Sequence, residues 1–345
     1  MGALGSLAPA DAYAYVGGCL ATGLVEVSHD PSVLDGSGWW AVVGTFEGRW
    51  TLVRFARVRP SPPPRAHRPW HGLARDAWTS SLSHDDYRDG VASVRSLIAA
   101  GEVYQVNLCR VLSAVLAPQQ PLDGLADLLR VSNPAPHAAR VCVPEAGVDV
   151  VSASPERYLR RDGQRVCSSP IKGTGAAADD LTAKDVAENV MIVDLVRNDL
   201  GRVCATGSVT VDDALAVEQH PGLVHLVSTV RGRLRDGVGW SGLLDATFPP
   251  GSVSGAPKSS ALRAIAALER RERGPYCGAV GWVDADRLEG ELAVGIRTFW
   301  REDDMLHFGT GAGITWGSDP DREWRETELK ASRLLGLAAT DGSET

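Results

Sequence analysis

Four prolines within residues 60–64 constrain this chain more than any other feature. Proline fixes its own φ, donates no backbone hydrogen bond and keeps the preceding residue out of the helical region. The stretch RPSPPPRAHRPW therefore reads as an extended linker, residues 61–74, between a β-rich segment (1–60) and a larger unit (75–340). Before it, WWAVVGTFEGRWTLVRFARV holds two apolar runs joined by the turn FEGR, a hairpin signal. After it, Ser83 precedes acidic residues, and Tyr87, Val91, Val94 and Ile98 recur at helical spacing, with Gly101 as the stop. A long strand VYQVNLCRVLSAV follows.

Further strands are expected in ARVCVPE, VDVVSASPERYLRRDGQRVCSSP, LVHLVSTVRGRL, CGAVGWVDA, ELAVGIRTFW and MLHFGTGAGITW. Helices are expected from about Leu181 to Asn198 and over DREWRETELKASRLLGLA. Many strands with few helices imply an α+β protein in which helices cover sheets. The 43 acidic residues outnumber the 35 basic ones, and no Lys/Arg block stands out, which argues against a nucleic-acid partner. No apolar run is long enough to span a bilayer. The N-terminus has no basic region leading an apolar run, so no signal peptide is read there. The six scattered cysteines form no C-x-x-C and fit reduced thiols. A cytoplasmic protein is expected.

The helix LTAKDVAENVMIVDLVRNDLG carries Asp185 and Glu188 three residues apart, hence on one face. Asp185 reads equally as a carboxylate favouring the helix dipole. Glu188, on an apolar face, needs a cation or a donor to offset its desolvation. In the last helix Glu323, Glu326 and Lys330 share a face, and Glu326 with Lys330 makes an ordinary i,i+4 surface pair. One inward carboxylate from each helix would also suit Mg²⁺, which keeps several waters and takes few protein oxygens. FGTGAGITWGSD is no dinucleotide fingerprint, because it opens no βαβ unit; it reads as a strand whose backbone a ligand approaches closely. PPGSVSGAPK is a donor-rich turn ending in Lys258.

Taken in order, SASPERYL, PIKGTG, AENVMIVDLVRNDLGRV, HLVSTVRG, FPPGSVSGAPK, PYCGAVGWVD, GIRT and GTGAGITWGSDPDREWRETELK resemble the chorismate-utilising enzymes over residues 75 to 340. The resemblance implies a large α/β sandwich, two β-sheets covered by helices, with Mg²⁺ bridging the enzyme and a carboxylate of chorismate. It implies Glu188 and Glu326 as direct metal ligands, with Asp185 and Glu323 supporting through water. Arg297, Lys330 and Tyr276 fall where the family holds substrate carboxylates, while Thr174 and the Gly311–Gly313 turn donate hydrogen bonds nearby. His225 matches a residue lining the ring, and Glu156 matches the acid that helps the 4-hydroxyl leave. His225 is equally readable as a core histidine, and Arg157 as a structural ion-pair partner.

Two positions bear on the reaction. Members that add water resemble one another in a lysine where this chain has Gln105, and a neutral amide cannot deprotonate water, so ammonia is the expected nucleophile. Lys172 gives PIKGT, the form typical of aminodeoxychorismate synthase component I, whereas anthranilate synthases resemble PIAGT. That resemblance implies attack of the Lys172 amine on C2 and displacement of the lysine by ammonia at C4, giving 4-amino-4-deoxychorismate for para-aminobenzoate and folate synthesis. A free lysine, with a pKa of about 10.4, is protonated at neutral pH, so the site must lower it. The alternatives are amination at C2, as in anthranilate synthase component I, and a non-catalytic chorismate-binding subunit. No G-x-C-x-G nucleophile turn occurs, so ammonia is expected from a separate glutamine amidotransferase. The pre-linker segment is short, and no tryptophan site is carried over to it.

Overall fold

The computed structural model describes residues 12–175, 177–220 and 223–339. Its strands join in one curled, hydrogen-bonded network of 18, and every strand ladder in it is antiparallel. The expected helix-covered sandwich is present, with the distinction that its sheet layers run continuously into one another through shared strands. Six α-helices lie against it among the described residues: α1 (His84–Ala99), α2 (Asp123–Ser132), α3 (Ala183–Gly201), α4 (Trp240–Thr247), α5 (Lys258–Leu268) and α6 (Pro320–Ala338).

The hairpin before the proline run forms as its apolar alternation dictates, with strand Trp39–Gly44 against Trp50–Pro60. Strand Tyr13–Val16 pairs with His137–Val143, and Trp39–Gly44 pairs with Ala279–Asp284, so the pre-linker strands lie within the same network as the rest. The proline-rich segment is itself held: Ala66 N–H donates to Asp127, and the Trp70 indole donates to the Ala338 carbonyl at 3.0 Å.

Local signals set the helix starts. Ser83 and Asp86 exchange hydrogen bonds in a capping box that opens α1, and Thr182 with Asp185 does the same for α3. Gly101, at φ +75°, follows the end of α1.

Two strand pairs place the site. Strand Gln105–Val115 lies beside Met305–Ile314 with Asn107 opposite Gly313, Cys109 opposite Gly311 and Val111 opposite Gly309. Strand Ile171–Gly175 lies beside Leu223–Arg233 with Thr174 opposite His225. Helix α3 packs on the second pair, and α6 packs on the first and on α1. Beneath them Val106, Leu108, Ile192, Leu292 and Ile314 belong to the main core, while Leu112, Phe299, Phe308 and Leu334 form a second cluster. Each large aliphatic side chain so buried contributes about 1.5–3 kcal/mol relative to exposure.

Candidate active site

Lys172 stands where strand Ile171–Gly175, α3, α6 and the turn before strand Arg157–Asp162 converge. It is half-buried, and desolvation pushes its ammonium below the usual lysine range. Glu188 opposes that shift, Lys330 adds to it, and Glu156 and Glu326 oppose it more weakly. The amine is thus flanked by three carboxylates and one cation, and burial outweighs their sum.

Glu156 is 3% exposed, and burial pushes its carboxyl up to about 7. Hydrogen bonds from Ser252 and the Ile171 N–H, and the charge of Lys172, pull the other way without prevailing. Its backbone is fixed from both sides: the Glu156 N–H donates to Ser154 at 3.2 Å, and Val294 N–H donates to the Glu156 carbonyl at 3.0 Å. A carboxyl that exchanges its proton near neutral pH in a dry setting is suited to general-acid work.

The glycines of strand Met305–Ile314 show why they are glycines. A Cβ on Gly309 would fall 2.0 Å from the Tyr276 ring, one on Gly311 would fall 2.5 Å from Cys109 Sγ, and one on Gly313 would fall 2.4 Å from Gln105 Nε2. The protein's own Tyr276, Cys109 and Gln105 pack closely against this backbone, and beside Gly313 the Lys172 Nζ lies 3.6 Å from the same point. Gln105 is 2% exposed, and neither its Nε2 nor its Oε1 has a hydrogen-bond partner. Leaving a buried amide unsatisfied is costly.

Lys330, expected to hold a substrate carboxylate, donates to the Gly311 carbonyl at 3.2 Å and lies 2.6 Å from Glu326. Both the surface-pair reading and the site reading therefore have support in the geometry. Arg297 sits at φ +52°, a conformation non-glycine residues rarely adopt, and burial lowers its pKa. It is half-buried and has no ion pair among the described residues, an arrangement open to an anion. Tyr276 is seated deeper: the Cys109 thiol donates to its hydroxyl at 3.8 Å, and burial raises its pKa well above normal. His225 is buried in strand Leu223–Arg233. The Thr174 side chain lies outside what is described.

Of the four carboxylates read as a metal set, Asp185 accepts from the Thr182 N–H at 2.8 Å and from the Thr182 hydroxyl at 2.6 Å. Asp185 thus stands in the first turn of α3, where a carboxylate favours the helix dipole. Glu323 is buried against α1, near Tyr87. No group of three or more His, Cys, Asp or Glu side chains among the described residues forms a metal cage. Glu188 and Glu326 nonetheless come from two helices to one amine, and hard carboxylate oxygens are the donor type that suits Mg²⁺.

Two polar residues were not singled out from sequence. Asn189, next to Glu188, donates to the Leu226 carbonyl at 3.2 Å and accepts from Ser228 at 2.5 Å, which fixes the rotation of α3. Its signal was a polar side chain on the buried side of an apolar helix. Ser252, in the donor-rich turn, is the partner of Glu156.

A helix-covered antiparallel sheet thus brings together a buried acid, a desolvated amine and two helix-borne glutamates. The family of chorismate binding enzymes matches residues 49–336, and the chain belongs to it. It is 38% identical over 300 residues to an anthranilate synthase component 1 of Haloarcula marismortui, spanning 84% of this chain and 60% of that one. It is 39% identical over 303 residues to anthranilate synthase component 1 of Streptomyces coelicolor, spanning 82% and 58%. The chain therefore spans about three fifths of the length of these curated relatives. The crystal structure of anthranilate synthase component I from Streptococcus pneumoniae shares the fold, with a TM-score of 0.76 over 96% of this chain and 91% of that one at 23% identity. These relatives carry the anthranilate synthase name and not the aminodeoxychorismate synthase name expected from Lys172.

Proposed function

We propose that the chain is the chorismate-aminating component of a two-part synthase, acting with Mg²⁺ and with ammonia from a separate glutamine amidotransferase in the cytoplasm. The observation that carries the amination is the trio of Glu156, Lys172 and Gln105: a buried acid held near neutral pH, a desolvated amine, and an unpartnered amide where a base for water would be needed. The names of the relatives favour entry of ammonia at C2, the anthranilate synthase outcome.

In that reading Arg297 and Lys330 bind carboxylates of chorismate, and His225 lines the ring. Glu156 gives its proton to the departing C4 hydroxyl, which leaves as water while the new C–N bond forms at C2. Mg²⁺, when bound by Glu188 and Glu326 with Asp185 and Glu323 behind them, supplies charge stabilisation for a substrate carboxylate.

A second reading, amination at C4 by way of a covalent bond from Lys172 to C2, is favoured by one observation: desolvation and Lys330 both act to lower the Lys172 pKa, as a nucleophilic amine requires. Mass spectrometry of the product from chorismate, ammonium and Mg²⁺ tests both. Anthranilate or its amino precursor supports the first, 4-amino-4-deoxychorismate supports the second, and isochorismate or unchanged chorismate removes amination altogether.

A further inference from the structure

The last residue of the turn PPGSVSGAPK enters a partly buried ion pair that the proposed chemistry does not use. Lys258 Nζ lies 2.6 Å from Asp199 Oδ2, near the end of α3, and donates to the Thr247 carbonyl at 2.8 Å. Thr247 is the last residue of α4, and Lys258 is the first of α5. One ammonium therefore ties together both ends of the loop 248–257. Burial raises the Asp199 pKa and lowers that of Lys258, while their mutual attraction works against both shifts. Desolvation on this scale makes a buried pair a poor source of net stability, so a role in geometry is the better account.

The two halves of the loop are fixed differently. Its second half is stitched to the Gln105 strand and beside it: Asn107 N–H donates to the Ser254 carbonyl at 2.8 Å, Gly255 pairs with Val106, and Arg273 donates to the Val253 carbonyl at 2.8 Å. Its first half, which leads to Ser252, departs from Thr247, whose hydroxyl bonds Tyr158 at 2.6 Å. A cavity of about 10 Å³, the room of roughly one water, is bordered by Glu156, Ser252, Thr247 and Asp199 together. The acid, its hydroxyl partner, and the Asp199 and Thr247 that Lys258 holds thus border one small space.

We infer that Lys258 is a positioning residue: by clamping Asp199 and the Thr247 carbonyl it closes the 248–257 loop, and the closed loop holds the Ser252 hydroxyl against the Glu156 carboxyl. The inference rests on the proposed role of Glu156 as the acid in chorismate amination. The charged and titratable groups around Glu156 are Lys172, on strand Ile171–Gly175, and Arg157, Tyr158 and Asp199, which border the same cavity.

The test uses the whole chain with chorismate, ammonium and Mg²⁺, and reads kcat against pH. The acid is active when protonated, so kcat falls as pH rises through its pKa. Ser252→Ala removes a hydrogen bond that favours the carboxylate and is expected to move that limb upward by about one pH unit, tenfold in the dissociation constant. Lys258→Met is expected to move it in the same direction, with KM for chorismate within about twofold of the unaltered chain, and Lys258→Arg to restore most of the position. A Lys258→Met chain that loses thermal stability and rate while the limb stays in place overturns the inference. If Lys258→Met does not fold, Asp199→Asn, which keeps the volume, carries the same two outcomes.

A second readout is independent of turnover: infrared titration of the Glu156 carboxyl, assigned by difference against Glu156→Gln. A raised midpoint in Ser252→Ala and Lys258→Met supports the clamp even if chorismate is not aminated, in which case the proposed function alone falls. An unmoved midpoint in an active enzyme sinks the clamp and leaves the function standing.

Discussion

Glu156 and Lys172 are neighbours of opposite formal charge, and each pulls the other toward its charged form; burial nevertheless drives both toward neutrality. Desolvation is the larger effect at each group, so the site holds an acid that keeps its proton near neutral pH beside an amine with a weakened hold on its own. Two ordinary surface residues so placed would make an ion pair worth at most about 1 kcal/mol. Here the same two groups become a proton donor and an amine whose ammonium gives up its proton more readily than an ordinary lysine's.

This arrangement has a consequence for stability that Glu156→Gln isolates. The folded-state pKa of Glu156, about 7, lies above the ordinary 4.5, so the folded chain binds this proton more tightly than the unfolded one. Its contribution is fully present below the unfolded pKa and is lost as pH rises through 7. Glu156→Gln carries no charge to bury. It is expected to be more thermally stable than the unaltered chain at pH 8, by up to about 3 kcal/mol, with the gap closing below pH 5. Product formation should meanwhile be lost. A melting comparison at pH 5 and pH 8 showing no pH-dependent gap contradicts the buried-acid assignment.

The metal reading is checked through Glu188 and Glu326 separately. Each Glu→Gln change is expected to cut turnover by about a hundredfold or more, since the ion supplies several kcal/mol of charge stabilisation. Calorimetric Mg²⁺ binding, measured without chorismate, should weaken in both variants. Glu326→Gln also frees Lys330 from its 2.6 Å partner, so it is expected to alter KM for chorismate more than Glu188→Gln does. Unchanged Mg²⁺ binding in both variants would falsify the ligand assignment.

What the sequence made legible follows from how local each signal is. Ser83 and Asp86 open α1 through a contact three residues apart, and the hairpin from Trp39 to Pro60 alternates over adjacent positions. ELAVGIRTFW reads as one strand and forms two, Glu289–Val294 and Thr298–Glu302, because Arg297 turns to φ +52° between them. Nothing in an arginine announces a left-handed backbone; neighbouring structure imposes it. Strand Thr210–His220 carries acids that mask its alternation, and α4 has only eight residues, too few for periodicity to show. At the site, residue types were readable but partners were not. The seating of Tyr276 on Gly309, and of Ser252 on Glu156, joins segments tens to nearly a hundred residues apart in the chain.

Gln105 gives a prediction that separates function from stability. Its two amide atoms are buried without partners, a cost of about 1–3 kcal/mol. Gln105→Met keeps the volume and removes those atoms, so the melting temperature is expected to rise while ammonia-dependent turnover falls. The unaltered chain with chorismate and Mg²⁺ but no ammonia is expected to release no isochorismate. Gln105→Lys, which supplies a base beside Gly313, is expected to release some. Isochorismate from the unaltered chain would show that water is a competent nucleophile here after all.

Lys172 decides the regiochemistry. If ammonia attacks C2 directly, as the names of the relatives favour, the Lys172 amine forms no bond to substrate. Lys172→Ala then keeps the kind of product, and its rate changes only through the charge it removes from beside Glu156. Since Lys172 lowers the Glu156 pKa, its loss should push the high-pH limb of kcat upward, whereas loss of a required base would remove the low-pH limb. Incubation of the unaltered chain with chorismate and Mg²⁺, without ammonia, should leave its intact mass unchanged. The C4 reading predicts otherwise on each count. An adduct then accumulates on the peptide spanning residues 170–175, and Lys172→Ala loses 4-amino-4-deoxychorismate while gaining traces of C2 product. Intact mass, peptide mapping and product analysis on these two proteins therefore assign the amine to nucleophile or to electrostatic neighbour. A lysine with neither role would leave mass, product and pH profile all unmoved.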